Sequence, residues 1–292
     1  MPSANLLSTF VSLAMLAAVP CPAQDKAEDS IDAIELMERA ILYHPRKYDP
    51  GLIRAFESSG GVRIRYKTEL GEQSAWLIKD FKEKTPERLW VFCGGNATLA
   101  LELSSLARSL KFDKDAFLLV DYPGYGECEG LASPAGIRQN MKASVLAVCG
   151  KLALDAKQLP RTARVFGYSL GCAAALLAVE EFELQAAVLC APFTSTIEMA
   201  QARLRVAKDF PLKHKFDNRA GLKVLTTNKG KAWIFHGDRD NIIPVQMSKT
   251  LQDEFKDTVK LKVVSDGSHH DVISKARKEF IEAMAEARKM RE

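Results

Sequence analysis

Histidine is scarce in this sequence, with five in 292 residues, at positions 44, 214, 236, 269 and 270. No cluster with metal-ligand spacing and no nucleotide-phosphate loop accompanies them, so no metal and no cofactor are expected. Long runs of one charge are also missing. The 41 Lys and Arg and 37 Asp and Glu are interspersed, and the net charge is only +4. That leaves nucleic-acid binding without a basic patch to carry it. There is no internal repeat and no low-complexity segment. Apolar runs long enough for a membrane span are lacking too. Leu6 to Val19 falls short of the roughly 20 residues a span needs and has the length of a signal-peptide core. With Ala23 before Gln24 as a cleavage site and charge from Asp25 onward, residues 1–23 read as a cleaved export signal. The mature chain is then expected to be secreted or periplasmic, with no stable membrane span after processing.

Of the six cysteines, Cys93, Cys128, Cys149, Cys172 and Cys190 would survive that cleavage. Five cannot all pair internally, and Cys93, Cys172 and Cys190 sit in apolar settings where a free thiol acts as a small hydrophobe. A disulfide scaffold is therefore not supported, although one bridge through Cys128 or Cys149 stays open.

What is present is a folded composition, 47% hydrophobic and 27% charged, at a length that suits one α/β domain. The stretch that organises the rest is Arg164 to Cys172. An apolar run ends in Gly167-Tyr168-Ser169-Leu170-Gly171, and the small apolar residues 173–179 follow at once. This reads as strand, sharp turn and helix, with Ser169 at the turn. The glycines let strand and helix approach while the hydroxyl projects. The N–H groups opening that helix favour negative charge near the serine.

In chain order, residues 24–60 are expected to be an N-terminal helix, capped near Asp29 and Ser30 and ended by His44-Pro45, followed by a connector. From residue 61 to the C-terminus a single domain is expected. Two alternating strands around Gly71-Glu72 make an antiparallel hairpin. Apolar strands then alternate with helices: 89–92, 116–120, 163–166, 186–189, 232–235 and 259–264. That pattern predicts a mainly parallel central sheet with helices on both faces, and chemistry at the carboxyl ends of its strands.

Four loops at those ends carry reactive or turn-forming residues. They are Cys93 to Ala97, Asp121-Tyr122-Pro123-Gly124-Tyr125-Gly126, His236-Gly237-Asp238-Arg239-Asp240 and Ser268-His269-His270-Asp271. A serine hydroxyl needs a hydrogen-bonded imidazole to become a nucleophile, and the imidazole needs an acid to fix its tautomer. On residue types alone, His269 and His270 compete for the first role and Asp240 and Asp238 for the second.

Together with Ala191-Pro192-Phe193-Thr194-Ser195, these ordered motifs resemble the α/β-hydrolase superfamily. The likeness is to the branch without a large lid that includes depalmitoylases, lysophospholipases and serine-aminopeptidase-like hydrolases. The resemblance implies Ser169 as nucleophile, His269 as base and Asp240 as the acid behind it. It also implies an oxyanion hole from the backbone N–H of Leu170 and of Asn96, with Gly94 standing where relatives carry His. His270, His44, His214 and His236 fall outside those roles, Asp238 reads as a turn residue, and Tyr122, Gly124 and Tyr125 read as pocket wall. The chemistry implied is cleavage of a carboxylic ester or thioester in a small-molecule or acylated substrate. An aminopeptidase-like amide hydrolase and a non-catalytic binding protein on the same fold are the alternatives.

The stretch from Ala191 to Lys231 is where many relatives insert a lid. One helix over 194–208 is expected there, too little for a large cap, so the site is expected to be open. Nothing in the sequence fixes the oligomeric state.

Overall fold

The computed structural model describes residues 33–290. The expected export signal at 1–23 and the capping pair Asp29-Ser30 lie outside the described residues. From Ala33 onward the chain is one compact unit built on an eight-stranded sheet. Helix α1 (Ala33–Leu42) comes first, then α2 (Pro50–Ser58). The second of these falls where a connector was expected. Its start is fixed by Asp49, whose carboxylate accepts from the Gly51 N–H, and by Pro50 in the first turn. Ile53 and Phe56 of α2 are buried in the sheet's core, so a boundary at residue 61 cuts through a packed unit.

The hairpin strands β1 (Val62–Thr68) and β2 (Gly71–Lys79) pair antiparallel, and β2 pairs antiparallel with β4 (Asp115–Val120). Then β3 (Arg88–Cys93), β5 (Ala163–Tyr168), β6 (Ala186–Cys190), β7 (Lys231–Gly237) and β8 (Val259–Val264) continue in parallel. The strand order is β1-β2-β4-β3-β5-β6-β7-β8. The reversal around β3 puts the ends of β3 and β5 side by side, which is where open α/β sheets leave a crevice.

Alternation along the strands sorts side chains between two cores. Leu89, Val91, Leu118, Val165, Leu189 and Ile234 enter one, largely aliphatic. Trp90, Phe92, Phe117, Phe166, Trp233 and Phe235 enter the other, largely aromatic. Helix α3 (Ser104–Ser109), preceded by a 3₁₀ turn at Ala100–Leu103, and helix α10 (Arg277–Lys289) contribute to the aromatic side. Helices α4 (Pro134–Leu152), α5 (Leu170–Phe182), α7 (Asn218–Thr227) and α8 (Val245–Glu254) cover the aliphatic side.

Between β6 and β7 lie α6 (Thr196–Leu204) and α7. The second of these is packed by Leu222 and Leu225 into the core, so it is a crossover helix of the scaffold. Only about half of the supposed insert is left over. A short helix α9 (Val272–Lys275) breaks from α10 at Ala276. All five cysteines from Cys93 to Cys190 are free and buried. Among the described residues no helix is long and apolar enough to cross a membrane.

Candidate active site

Strand β5 ends at Tyr168 and α5 begins at Leu170, leaving Ser169 alone at the corner. Its backbone has φ 56° and ψ −122°, a conformation an L-residue adopts only when its surroundings force it. The surroundings do so. A Cβ at Gly167 would lie 2.5 Å from the Gly171 carbonyl oxygen, and one at Gly171 would sit on the carbonyl oxygen of Cys93. Ser169 N–H donates to Cys190 O at 2.8 Å, which ties the corner to β6. Glycine spacing in the sequence thus reports close backbone contacts between β5, α5 and the end of β3.

The loops after β7 and β8 bring two more residues to this corner. The Asp240 carboxylate is held by backbone N–H groups of Ile242 and Ile243, both at 2.8 Å on Oδ1. Its Oδ2 accepts from His269 Nδ1 at 2.6 Å. With Nδ1 carrying the proton, Nε2 is left as an acceptor, and it lies 3.1 Å from Ser169 Oγ. Ser169, His269 and Asp240 therefore form one hydrogen-bonded chain, and the first two are buried.

Burial by itself pushes the Asp240 carboxyl up. Hydrogen bonds from His236, His269 and the Ile243 N–H outweigh it and hold the group well below the usual carboxylate range. It remains an anion at any pH where an imidazole is neutral.

His236, outside the roles that the resemblance implies, is in contact with this hydrogen-bonded chain. Its Nε2 donates to Ile243 O at 2.9 Å and lies 3.3 Å from Asp240 Oδ2, while Nδ1 accepts from the Ser248 hydroxyl at 2.7 Å. It is fully buried and braces the acid from behind. The sequence signal for this was the His236-to-Asp240 spacing within one tight loop.

The competing residues stand elsewhere. Asp238 and His270 are exposed. His270 comes only within 3.5 Å of the Tyr168 hydroxyl, which donates to His269 O at 2.9 Å. Asp271 does not cap α9 with its side chain; it accepts from Ser268 N–H at 2.6 Å and shapes the histidine loop. Cys172 is one turn along from Ser169, but burial pushes its thiol well above the ordinary range, which removes it as a nucleophile.

Leu170, at the first position of α5, has an N–H with no intrahelical partner. Asn96 reaches the same cavity as Ser169 and Leu170. Its carbonyl is pinned by His44 N–H at 3.0 Å and by the Tyr125 hydroxyl, and Tyr122 donates to Gly94 O at 2.6 Å. Tyr122 and Tyr125 therefore brace the Gly94–Ala97 loop from beneath, rather than forming pocket wall as expected. A side chain at Gly94 would press on Thr98, so the loop turns tightly here.

Beside Ser169 is a cavity of about 410 Å³. Its walls come from three places: Met37, Ile41 and Leu42 of α1; Met199, Ala200 and Leu204 of α6; and Val206, Phe210 and Leu212 after it. Ile242 and Ile243 complete it from the Asp240 loop. Helix α1 supplies a wall of the site that was not expected. Glu38 fixes α1 in place by accepting from Lys213 N–H at 2.8 Å and His214 N–H at 2.6 Å. The Tyr43 hydroxyl adds a contact to His214 Nδ1 at 2.9 Å. Nothing in the sequence marked α1 or residues 205–214 as partners. Among the described residues, no group of His, Cys, Asp and Glu is placed to hold a metal ion.

No family model matches the chain. Over 156 residues it is 30% identical to the α/β hydrolase domain-containing protein WAV2 of Arabidopsis thaliana, covering 53% of this chain and 46% of that one. Over 180 residues it is 27% identical to an uncharacterized protein of Mycobacterium tuberculosis, covering 61% and 62% respectively. The match thus spans about half to three-fifths of these relatives' own length.

Among solved structures, an α/β hydrolase from Vibrio vulnificus superposes with TM-score 0.65 at 18% identity, covering 91% of this chain and 98% of that one. An esterase from Pyrococcus furiosus gives TM-score 0.62 at 16% identity, covering 84% and 96%. A serine hydrolase without a lid from Xanthomonas campestris gives 0.55 at 14% identity, covering 80% and 97%. With this strand order, this serine corner and these neighbours, the chain has the α/β-hydrolase fold.

Proposed function

We propose that the protein is a serine hydrolase that cleaves carboxylic esters or thioesters through an acyl-enzyme intermediate. The observation that carries this reading is the unbroken hydrogen-bonded chain from Asp240 through His269 to Ser169, at 2.6 and 3.1 Å.

Ser169 Oγ attacks the substrate carbonyl carbon as His269 Nε2 takes the hydroxyl proton. The carbonyl π electrons move to oxygen, and the N–H groups of Leu170 and Asn96 receive that charge at the start of α5. Asp240 stays ionised and steadies the imidazolium. When the tetrahedral species collapses, the C–O or C–S bond breaks and His269 gives its proton to the departing alcohol or thiol. Water repeats the sequence on the acyl-enzyme, releasing the acid and restoring Ser169.

An amide hydrolase reading free amino termini would need a carboxylate facing the substrate amine. Among the described residues, the carboxylate lining the cavity is that of Glu38, and it is already committed to backbone N–H groups.

The test is labelling of the full chain with a fluorophosphonate, beside Ser169→Ala. Stoichiometric labelling of the wild type and none of the variant is expected. Equal labelling of both would remove Ser169 as nucleophile.

Export is part of the proposal, motivated by the apolar stretch Leu6 to Val19. N-terminal sequencing of protein from the extracytoplasmic fraction is expected to begin at Gln24, and a start at Met1 would refute cleavage.

A further inference from the structure

The cavity beside Ser169 offers a substrate apolar surface and little else, although Glu38, Arg203 and His214 are among its lining residues. Each of these polar groups is engaged elsewhere. The Glu38 oxygens accept from Lys213 and His214 N–H. The Arg203 guanidinium donates to Asn241 O at 2.6 Å and Ile242 O at 2.7 Å. His214 meets the Tyr43 hydroxyl through Nδ1 and faces Glu35 through Nε2, and burial lowers its pKa, so the ring is neutral near pH 7. Among the apolar walls of Met37, Ile41, Met199 and Leu212, a charged ligand group would lose its water with no gain to offset it.

The position of the cavity also assigns an orientation. It is lined by Ser169 and by the two candidate oxyanion donors, Leu170 and Asn96, but among the described residues not by His269. In the proposed chemistry His269 protonates the leaving group, so that group departs on the imidazole side. The cavity is then left for the other half of the substrate.

We propose that this cavity binds the acyl half of the substrate, an uncharged aliphatic chain of medium length, and that α1 is the wall that sets the chain length. This deepens the reading of the protein as a serine hydrolase and rests on it for orientation. Ile41 of α1 and Met199 of α6 both line the space, and each is reached from a segment outside the strands that hold Ser169, His269 and Asp240. Filling it from either side shortens the acceptable chain without touching the chemistry.

Three measurements test this on the full chain. First, kcat/KM is compared for p-nitrophenyl acetate, butyrate, octanoate and palmitate. A rise of at least ten-fold from acetate to octanoate is expected from methylene burial. In Ile41→Trp and Met199→Trp the ratio of the octanoate value to the acetate value should fall at least ten-fold. An equal loss at every chain length would mean a purely structural role and would overturn the proposal.

Second, ethyl octanoate and octyl acetate are isomers that place the same long chain on opposite sides of the ester. Preference for ethyl octanoate is expected, and preference for octyl acetate reverses the orientation.

Third, binding of the uncharged ester methyl octanoate to Ser169→Ala by calorimetry needs no turnover. Binding that is lost when Ile41→Trp is added supports the pocket. Absence of binding, with p-nitrophenyl acetate still hydrolysed by the wild type, sinks the pocket and leaves the hydrolase reading standing. Binding without hydrolysis of any ester by the wild type does the opposite.

Discussion

Two regions meet at Ser169 and are held by different physics. Below it, the corner between β5 and α5 is a matter of backbone against backbone, where Gly167 and Gly171 leave no room for a Cβ. Above it, the cavity wall is joined by side chains reaching across the sequence; Glu38 and Lys213 are 175 positions apart. A close-packed corner has one solution and tolerates no added atom. A wall of helices and loops stitched by a few hydrogen bonds can change its lining while the corner stays intact. The contrast separates what positions the Ser169 hydroxyl from what lines the cavity beside it, and it can be tested from both sides.

The largest effect belongs to the corner. With His269 as base, His269→Ala is expected to lower kcat/KM for a short ester by about 10⁴-fold, the usual order for loss of such a base. His270→Ala, at an exposed residue whose ring lies against the Tyr168 hydroxyl at 3.5 Å, should change it less than about three-fold. Steady-state kinetics on p-nitrophenyl acetate decide the matter, and the reverse pattern would move the base to His270.

Next comes Gly171→Ala. Its new methyl would overlap the backbone carbonyls of Cys93 and Gly94, which cannot rotate aside as a side chain can. A loss of more than about 3 kcal/mol in urea unfolding is expected, together with loss of fluorophosphonate labelling. Full labelling with unchanged stability would show that the corner is looser than its contacts imply.

The same contrast explains what could be read before any coordinates. The corner was legible because its constraint is local. Five consecutive residues, Gly167 to Gly171, state the steric problem and its solution, and the order of Ser169, Asp240 and His269 follows from strands ending on one side of the sheet. Apolar runs such as Leu89 to Phe92 and Ala186 to Leu189 fixed the strands because both faces are covered. The wall was not legible, because Met37, Met199 and Phe210 are ordinary apolar residues whose meeting depends on Glu38 finding Lys213 and His214. Helix α2 was missed because it is short and begins Pro-Gly, a pair that reads as a turn until the Asp49 cap is seen. Tyr122 and Tyr125 were assigned to the wrong surface because a glycine-rich motif gives no direction for its side chains.

On the wall, the expected effect is smaller and of another kind. Glu38→Ala takes away the carboxylate that accepts from the Lys213 and His214 N–H groups, the second of them in a buried residue. A cost of about 3 kcal/mol is expected, concentrated in the contact between α1 and residues 205–214. Hydrogen exchange should rise in those two segments, while Ser169 labelling by a small fluorophosphonate remains within about two-fold. Collapse of labelling together with the wall would mean that the two regions are one cooperative unit.

The smallest effect probes the junction between them. Asp121, at the end of β4, accepts from Ala100 N–H at 2.8 Å, from Trp76 Nε1 at 2.9 Å and from the Tyr48 hydroxyl at 2.6 Å. Tyr48 lies on the chain between α1 and α2, so this carboxylate ties the N-terminal segment to the sheet. Burial dominates and pushes its carboxyl up to about 6, against the hydrogen bonds that favour the anion. In the unfolded chain the same group titrates near 3.9. Between roughly pH 4 and 6 the folded protein therefore keeps a proton that the unfolded chain has released. The stabilisation is fully present below about pH 4 and is lost as pH rises through 6. It amounts to between about 1 and 3 kcal/mol. Asp121→Asn cannot titrate, so the difference in unfolding free energy between wild type and variant should change by that amount from pH 4 to 7. Parallel curves across that range would mean that the carboxylate is better solvated than its burial indicates. Asp121 would then tie the N-terminal segment to the sheet as an anion across that whole range, accepting from Tyr48.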